Sequence, residues 1–178
     1  MAGTLIRSYD SYGQAAFVVR ELEAAGIPAE QISIVGRHDA IGTAAEAGGM
    51  IGSGAGLLGA LIALPIPGAG PVLAAGWLIA GTALGAAGGA AAGSLIGVLT
   101  GAGLTESDAN TVAEMVRRGG AFVAVRSSGG LAAIAEAIMR SGRPIDPEHR
   151  RAAYEREGWR RFDEKSGRKP ADLSGVVS

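Results

Sequence analysis

Cysteine is absent from all 178 residues, which excludes a disulfide scaffold, a thiol nucleophile and the usual zinc knuckles. Aromatic residues make up 4% of the chain, and 16 Lys+Arg stand against 17 Asp+Glu. That balance argues against a wholesale nucleic-acid binder and against an acidic tail. His38 and His149 are the only imidazoles and have no Cys companions, so neither a metal site nor another cofactor is expected. At the start, Thr4-Leu5-Ile6-Arg7 is too short an apolar run for a secretory signal peptide, and the chain is expected to begin in the cytoplasm. The widest gap is one of charge. No charged side chain occurs between Glu46 and Glu106, a run of about 59 residues, against the about 20 needed to span a hydrocarbon core.

Glycine fills much of that run. It accounts for 30 of 178 residues without a Gly-X-Y period, which excludes collagen. Gly48, Gly52 and Gly56 recur every four residues, and Gly81, Gly85, Gly89, Gly93, Gly97 and Gly101 continue the same spacing. On a helix, small residues at i and i+4 make a smooth groove that lets two backbones approach closely. Pro65, Pro67, Gly68, Gly70 and Pro71 interrupt the run and mark a turn. The sequence therefore predicts two helices, roughly 44–64 and 72–100, folded as a hairpin. At 1.5 Å per residue they would run about 31 and 43 Å, enough to cross a bilayer. Both polar flanks would then lie on one side, favouring the cytoplasm, and the uncharged turn would cross. Three other readings stay open: a soluble cage, ring or filament that buries the hairpins, a pore or transport element, and a flexible linker.

The flanks carry ordinary patterns. Thr4 to Tyr9 predicts a strand, and Ser11 caps a helix whose stripe is Ala15, Val18, Val19 and Leu22. Gln31 to Val35 predicts a second strand. Past the hairpin, Thr105-Glu106-Ser107-Asp108 has capping-box spacing ahead of Ala109, Val112, Ala113 and Val116. Ala121 to Val125 predicts a strand, Leu131 to Ile138 a helix, and Ile145 a short fourth strand. Two strand-helix-strand units in a four-stranded sheet give an α+β, ferredoxin-like split βαβ domain. Its expected divisions are 1–39 and 105–147 for the two halves, 40–104 for the helical hairpin, and 148–178 for a basic C-terminal helix and tail. Ten basic residues face six acidic ones between Arg140 and Lys169, read as a solvated surface or an attraction to anionic lipid. Trp159 and Phe162 form an apolar edge on that terminal helix, expected to dock the tail.

Catalytic signals fail on inspection. Gly54, Gly56 and Gly59 fit G-x-G-x-x-G, but no strand precedes them closely and no acid follows within reach of a ribose. The pair His38-Asp39, and the carboxylates Glu155, Glu157 and Asp163 interleaved with arginines, read as solvated charges. No enzyme and no small-molecule substrate is expected.

Taken together, Ser8-Tyr9-Asp10, Gly26-Ile27-Pro28, Ile32-Ser33-Ile34-Val35, the glycine-zipper hairpin, Gly103 to Ala109, Arg118 to Val125 and Tyr154 to Phe162 resemble bacterial general stress (heat-induced stress) proteins. The resemblance covers most of the chain. It implies a ferredoxin-like domain with a glycine-zipper insertion and a role in stress tolerance, and brings no catalytic site. The resulting expectation is a non-enzymatic homo-oligomer at the inner membrane, its soluble parts facing the cytoplasm, in contact with membrane lipid and not with nucleic acid.

Overall fold

Apolar alternation and helix caps divide the flanking regions much as the sequence predicts. The computed structural model describes residues 3–37, 62–66, 70–78 and 95–163, with side chains for all of these except 62–66 and 70–73. In chain order the elements are β1 (Gly3–Tyr9), α1 (Tyr12–Ala24), β2 (Ile32–Arg37), β3 (Ile62–Ile66), β4 (Gly70–Gly76), α2 (Leu95–Gly101), α3 (Glu106–Arg117), β5 (Ala121–Ser127), α4 (Gly130–Ser141) and α5 (Pro147–Arg156). Ser11 Oγ accepts from the Gln14 amide at 3.3 Å and Thr105 Oγ1 from the Asp108 amide at 3.2 Å. Each hydroxyl thereby satisfies one of the orphan donors at a helix start. Asp146 does the same for α5, its Oδ1 accepting from Glu148 N at 2.9 Å, with Pro147 at the first helical position.

The chain is α+β, built on one antiparallel sheet of order β1-β5-β2-β4-β3. β5 lies between β1 and β2, pairing Leu5 with Val125 and Ile34 with Val123. Side chains alternate between the two faces of a strand, and both faces are covered. On one side Val123, Val125, Ile32 and Ile34 meet Ala15, Val19 and Leu22 of α1 and Met139 of α4. On the other, Phe122, Ala124 and Val35 meet Leu99 of α2 and Ala109, Val112 and Val116 of α3.

The expected four-stranded sheet is altered at both edges. The fourth strand near Ile145 contracts to a single antiparallel bridge with Ser8, made by Ile145 N–H to Ser8 O at 2.8 Å, because Asp146-Pro147 starts α5 at once. At the other edge, the helices expected over 44–64 and 72–100 are corrected where the structure describes them. Residues 62–64 and 72–76 belong to strands, while Trp77, Leu78 and the residues from Leu95 onward are helical and the part between them lies outside the described residues. β4 pairs with β2 from Ser33–Gly76 to Arg37–Val72. The cause is tertiary. β2 is buried along nearly its whole length, and its outer edge would hold unpaired peptide groups in the core if β4 did not bond them. Proline also makes strand edges a better home than a helix interior for this stretch.

Gly76 terminates β4 at φ +101, where a Cβ would lie 2.1 Å from Ile32 O. No side chain fits there. Pro65 and Ile66 at the end of β3, and Gly70 and Pro71 at the start of β4, thus belong to the sheet. No helix among the described residues is long and apolar enough to cross one.

Candidate functional site

The residues expected to drive assembly divide between described and undescribed parts of the chain. Gly48, Gly52, Gly56, Gly81, Gly85, Gly89 and Gly93 lie outside the described residues, as do Pro67, Gly68 and His38. Gly97 and Gly101 lie in α2, where the Gly97 carbonyl accepts from Thr100 Oγ1 at 3.1 Å. At Gly101 a Cβ would meet nothing within 4 Å. Pro65 pairs with Pro71 and Ile66 with Gly70 across the β3–β4 ladder, so these turn residues flank a β-hairpin and not a helical one.

Trp159 and Phe162 are not on a helix, which corrects the expected apolar edge. α5 stops at Arg156, and Gly158 at φ +88 turns the chain back on itself. The Trp159 ring stands edge-on to Tyr154, centroids 5.8 Å apart. Phe162 is buried with α2 and α3, and its amide donates to Asn110 Oδ1 at 3.2 Å.

Under this returning tail sits a charged knot that the sequence reading did not single out. Glu114 on α3 has a fully buried side chain. Its carboxylate accepts from Arg117 Nε at 2.7 Å and Nη2 at 2.5 Å, and from Arg118 Nε at 2.6 Å. A buried carboxylate survives only when its lone pairs are taken up in this way. Arg118 also reaches Glu157 at 2.5 Å, and its guanidinium lies 4.0 Å from the Tyr154 ring centroid. Burial pulls the Arg118 pKa down, but the hydrogen bonds and charges of Glu114 and Glu157 outweigh it and the pKa is raised. Arg37 at the end of β2 donates to Arg117 O at 2.7 Å. The knot therefore ties the tail and the exit of β2 to one helix. The spacings Glu114–Arg117 and Glu114–Arg118 were visible as i, i+3 and i, i+4 pairs; the burial was not.

A groove of about 480 Å³ opens on the opposite edge of the sheet, beside β1. Ile6, Leu104, Val112 and Ile145 supply its apolar lining, and Thr4, Thr105, Asp108 and Asp146 its polar lining. His149 stands 3.8 Å from Asp146 with its side chain almost wholly exposed. Among the described residues no group of three metal-ligating side chains occurs. Comparisons with protein-family models, with curated proteins and with solved structures find no match.

Proposed function

We propose that this chain is a non-enzymatic stress-response protein that self-assembles at a membrane through its glycine-repeat segments, held by an α+β domain of ferredoxin-like plan. The order Ile145, β1, β5, β2 supports that plan, with β4 and β3 added to its far edge. One observation carries the reading of assembly: Gly48, Gly52, Gly56, Gly81, Gly85, Gly89 and Gly93 fall in two uncharged stretches, 47–61 before β3 and 79–94 before α2. Glycine costs a helix about 0.8–1.0 kcal/mol per residue relative to Ala. Such repeats need close backbone contact, in lipid or in an assembly, to offset that cost. The role in stress tolerance rests on the family resemblance alone.

A second reading, a soluble homo-oligomer, is favoured by the β3–β4 hairpin. With 62–66 and 70–76 in the sheet, the uncharged stretches 47–61 and 79–94 each fall short of the about 20 residues that one crossing needs. Membrane fractionation with alkaline carbonate extraction separates the two readings, since an embedded segment stays with the pellet. Crosslinking then tests assembly itself. Gly89→Leu or Gly93→Leu is expected to collapse the oligomer ladder, and an unchanged ladder refutes packing through the glycines.

A further inference from the structure

The β1 edge is a place where a sheet stops one strand short. Backbone N–H and C=O groups of alternate residues in an antiparallel strand point to the same side. Ser8 O bonds Ile145 on the outer side, so the peptide groups of Ile6 and Thr4 face outward as well. Ile6 O is taken up by Arg7 Nη1 at 2.9 Å. Among the described residues, no strand beyond the Ile145 bridge pairs with this edge. The outward donors of Thr4 and Ile6, and the outward acceptor of Thr4, thus border the groove of about 480 Å³.

The groove has the features strand addition requires. Thr4, Ile6 and Ser8 line its wall at the period of two that an extended partner matches. Leu104 and Val112 offer an apolar surface to alternate side chains of such a partner. Its charge selects the partner further. Of the three charged residues that line it, Asp108 and Asp146 are acidic, and the one base, Arg7, bonds Ile6 O and lies 3.9 Å from Glu136. Asp108 has Arg151 at 3.7 Å, while Asp146 is more than half exposed. At the α3 start Glu106 and Asp108 lie in the first turn, where they offset the positive end of the helix dipole.

We infer that the β1 edge binds an extended peptide segment of another protein whose groove-facing alternate positions carry both apolar and basic side chains. It adds as a strand beside Thr4 and Ile6, with its cations toward Asp146 and Asp108. This site is separate from the glycine repeats and stands or falls without them.

The test uses the full chain and a synthetic probe, acetyl-Lys-Thr-Val-Thr-Val-Thr-Lys-amide, whose Lys and Val side chains share one face of a strand, followed by amide chemical shifts. Shifts are expected at Thr4 to Ser8 and at Leu104 to Asp108. N-methylation of the probe along one set of alternate residues removes the ladder donors and is expected to weaken binding about tenfold or more, while methylation of the other set leaves it nearly unchanged. The probe with Glu in place of Lys is expected to bind several-fold more weakly. Asp146→Asn, which keeps a good helix cap, is expected to lessen that preference. Thr4→Pro removes one outward donor at the second residue of the strand and is expected to reduce affinity. Failure to bind at millimolar probe overturns the inference, as does equal tolerance of both methylation patterns. Slow amide exchange at Thr4 and Ile6 in the free monomer overturns it too, because this chain's own segments would then cover the edge.

Discussion

Replacing Gly76 with alanine separates the β-hairpin from the helical hairpin by the sign of the effect. In a helix interior the change would stabilise by about 0.8–1.0 kcal/mol through propensity alone. In the observed strand it must destabilise. A non-glycine residue held at φ +101 is strained by about 1–3 kcal/mol. The added Cβ would also stand 2.1 Å from Ile32 O, 2.6 Å from Ser33 Oγ and 2.7 Å from Ser33 Cα. None of these atoms is the free end of a long side chain, so β4 must move away from β2. That movement pulls on the bond from Leu78 N–H to Ser33 Oγ, now 3.0 Å, worth about 1 kcal/mol. The expected loss is about 2–4 kcal/mol, read as a lower urea midpoint at unchanged slope. Gly101→Ala is the control. It lies at the end of α2 with open space at Cβ, and is expected to be neutral or stabilising by up to about 1 kcal/mol. A Gly76→Ala protein as stable as the parent, or more so, refutes the β4 placement.

Two further outcomes follow from the core. Glu114→Gln leaves Arg117 and Arg118 without their carboxylate. Because both guanidiniums are about one-third exposed and regain some water, the expected cost is about 2–3 kcal/mol, below the usual figure for breaking a fully buried pair. Faster exchange of the Trp159 amide, which bonds Tyr154 O at 3.0 Å, should accompany it, and an unchanged midpoint and exchange rate would remove the knot's structural role. At alkaline pH, burial pushes the Tyr12 hydroxyl up to about 12 and that of Tyr9 higher still. Between pH 10 and 12 the unfolded chain sheds these protons and the folded one keeps them. Stability is therefore complete below about pH 10 and declines as the pH rises toward 12. Tyr12→Phe, which removes a buried hydroxyl that has no hydrogen-bond partner among the described residues, should flatten part of that decline in pH-dependent urea melts.

How much of this was legible depends on whether the signal was local. Ser11 and Thr105 announced their helices because a cap acts within one turn, and the stripes at Ala15–Leu22 and Ala109–Val116 fixed which faces were buried. The pairing of β1 with β5 followed from two apolar strands that needed a shared sheet. Residues 62–76 misled because Leu, Ala and Ile suit either a buried strand or a buried helix. The choice was made by β2, thirty or more positions upstream, whose outer edge required a partner. Trp159 and Phe162 misled for a related reason: their i, i+3 spacing fits a helix, but Gly158 had already reversed the chain. The groove went unseen because it exists only where Pro147 cuts the fourth strand short, and its lining comes from three separated segments.

The arrangement of layers narrows where this protein can meet a partner. A sheet with one bare face usually recruits through that face, but here α1 and α4 cover one side and α2 and α3 the other. Over β1, β5 and β2, contact through the sheet is therefore confined to the open edge, and at either end of a sheet unpaired peptide groups invite another strand unless something blunts them. Each edge is partly blunted. On β1, Ile145 takes Ser8 O and Arg7 takes Ile6 O. On β3, Pro65 opposes Pro71, and because neither can donate, that pair cannot be a hydrogen-bonded one. Alternation then sets Ala63 and Pro65 outward, leaving Ala63 as the single outward donor of this strand. Donors are thus richer at β1 than at β3, and the β1 edge also has a groove beside it. Strand addition to the described sheet is therefore expected at β1 and not at β3.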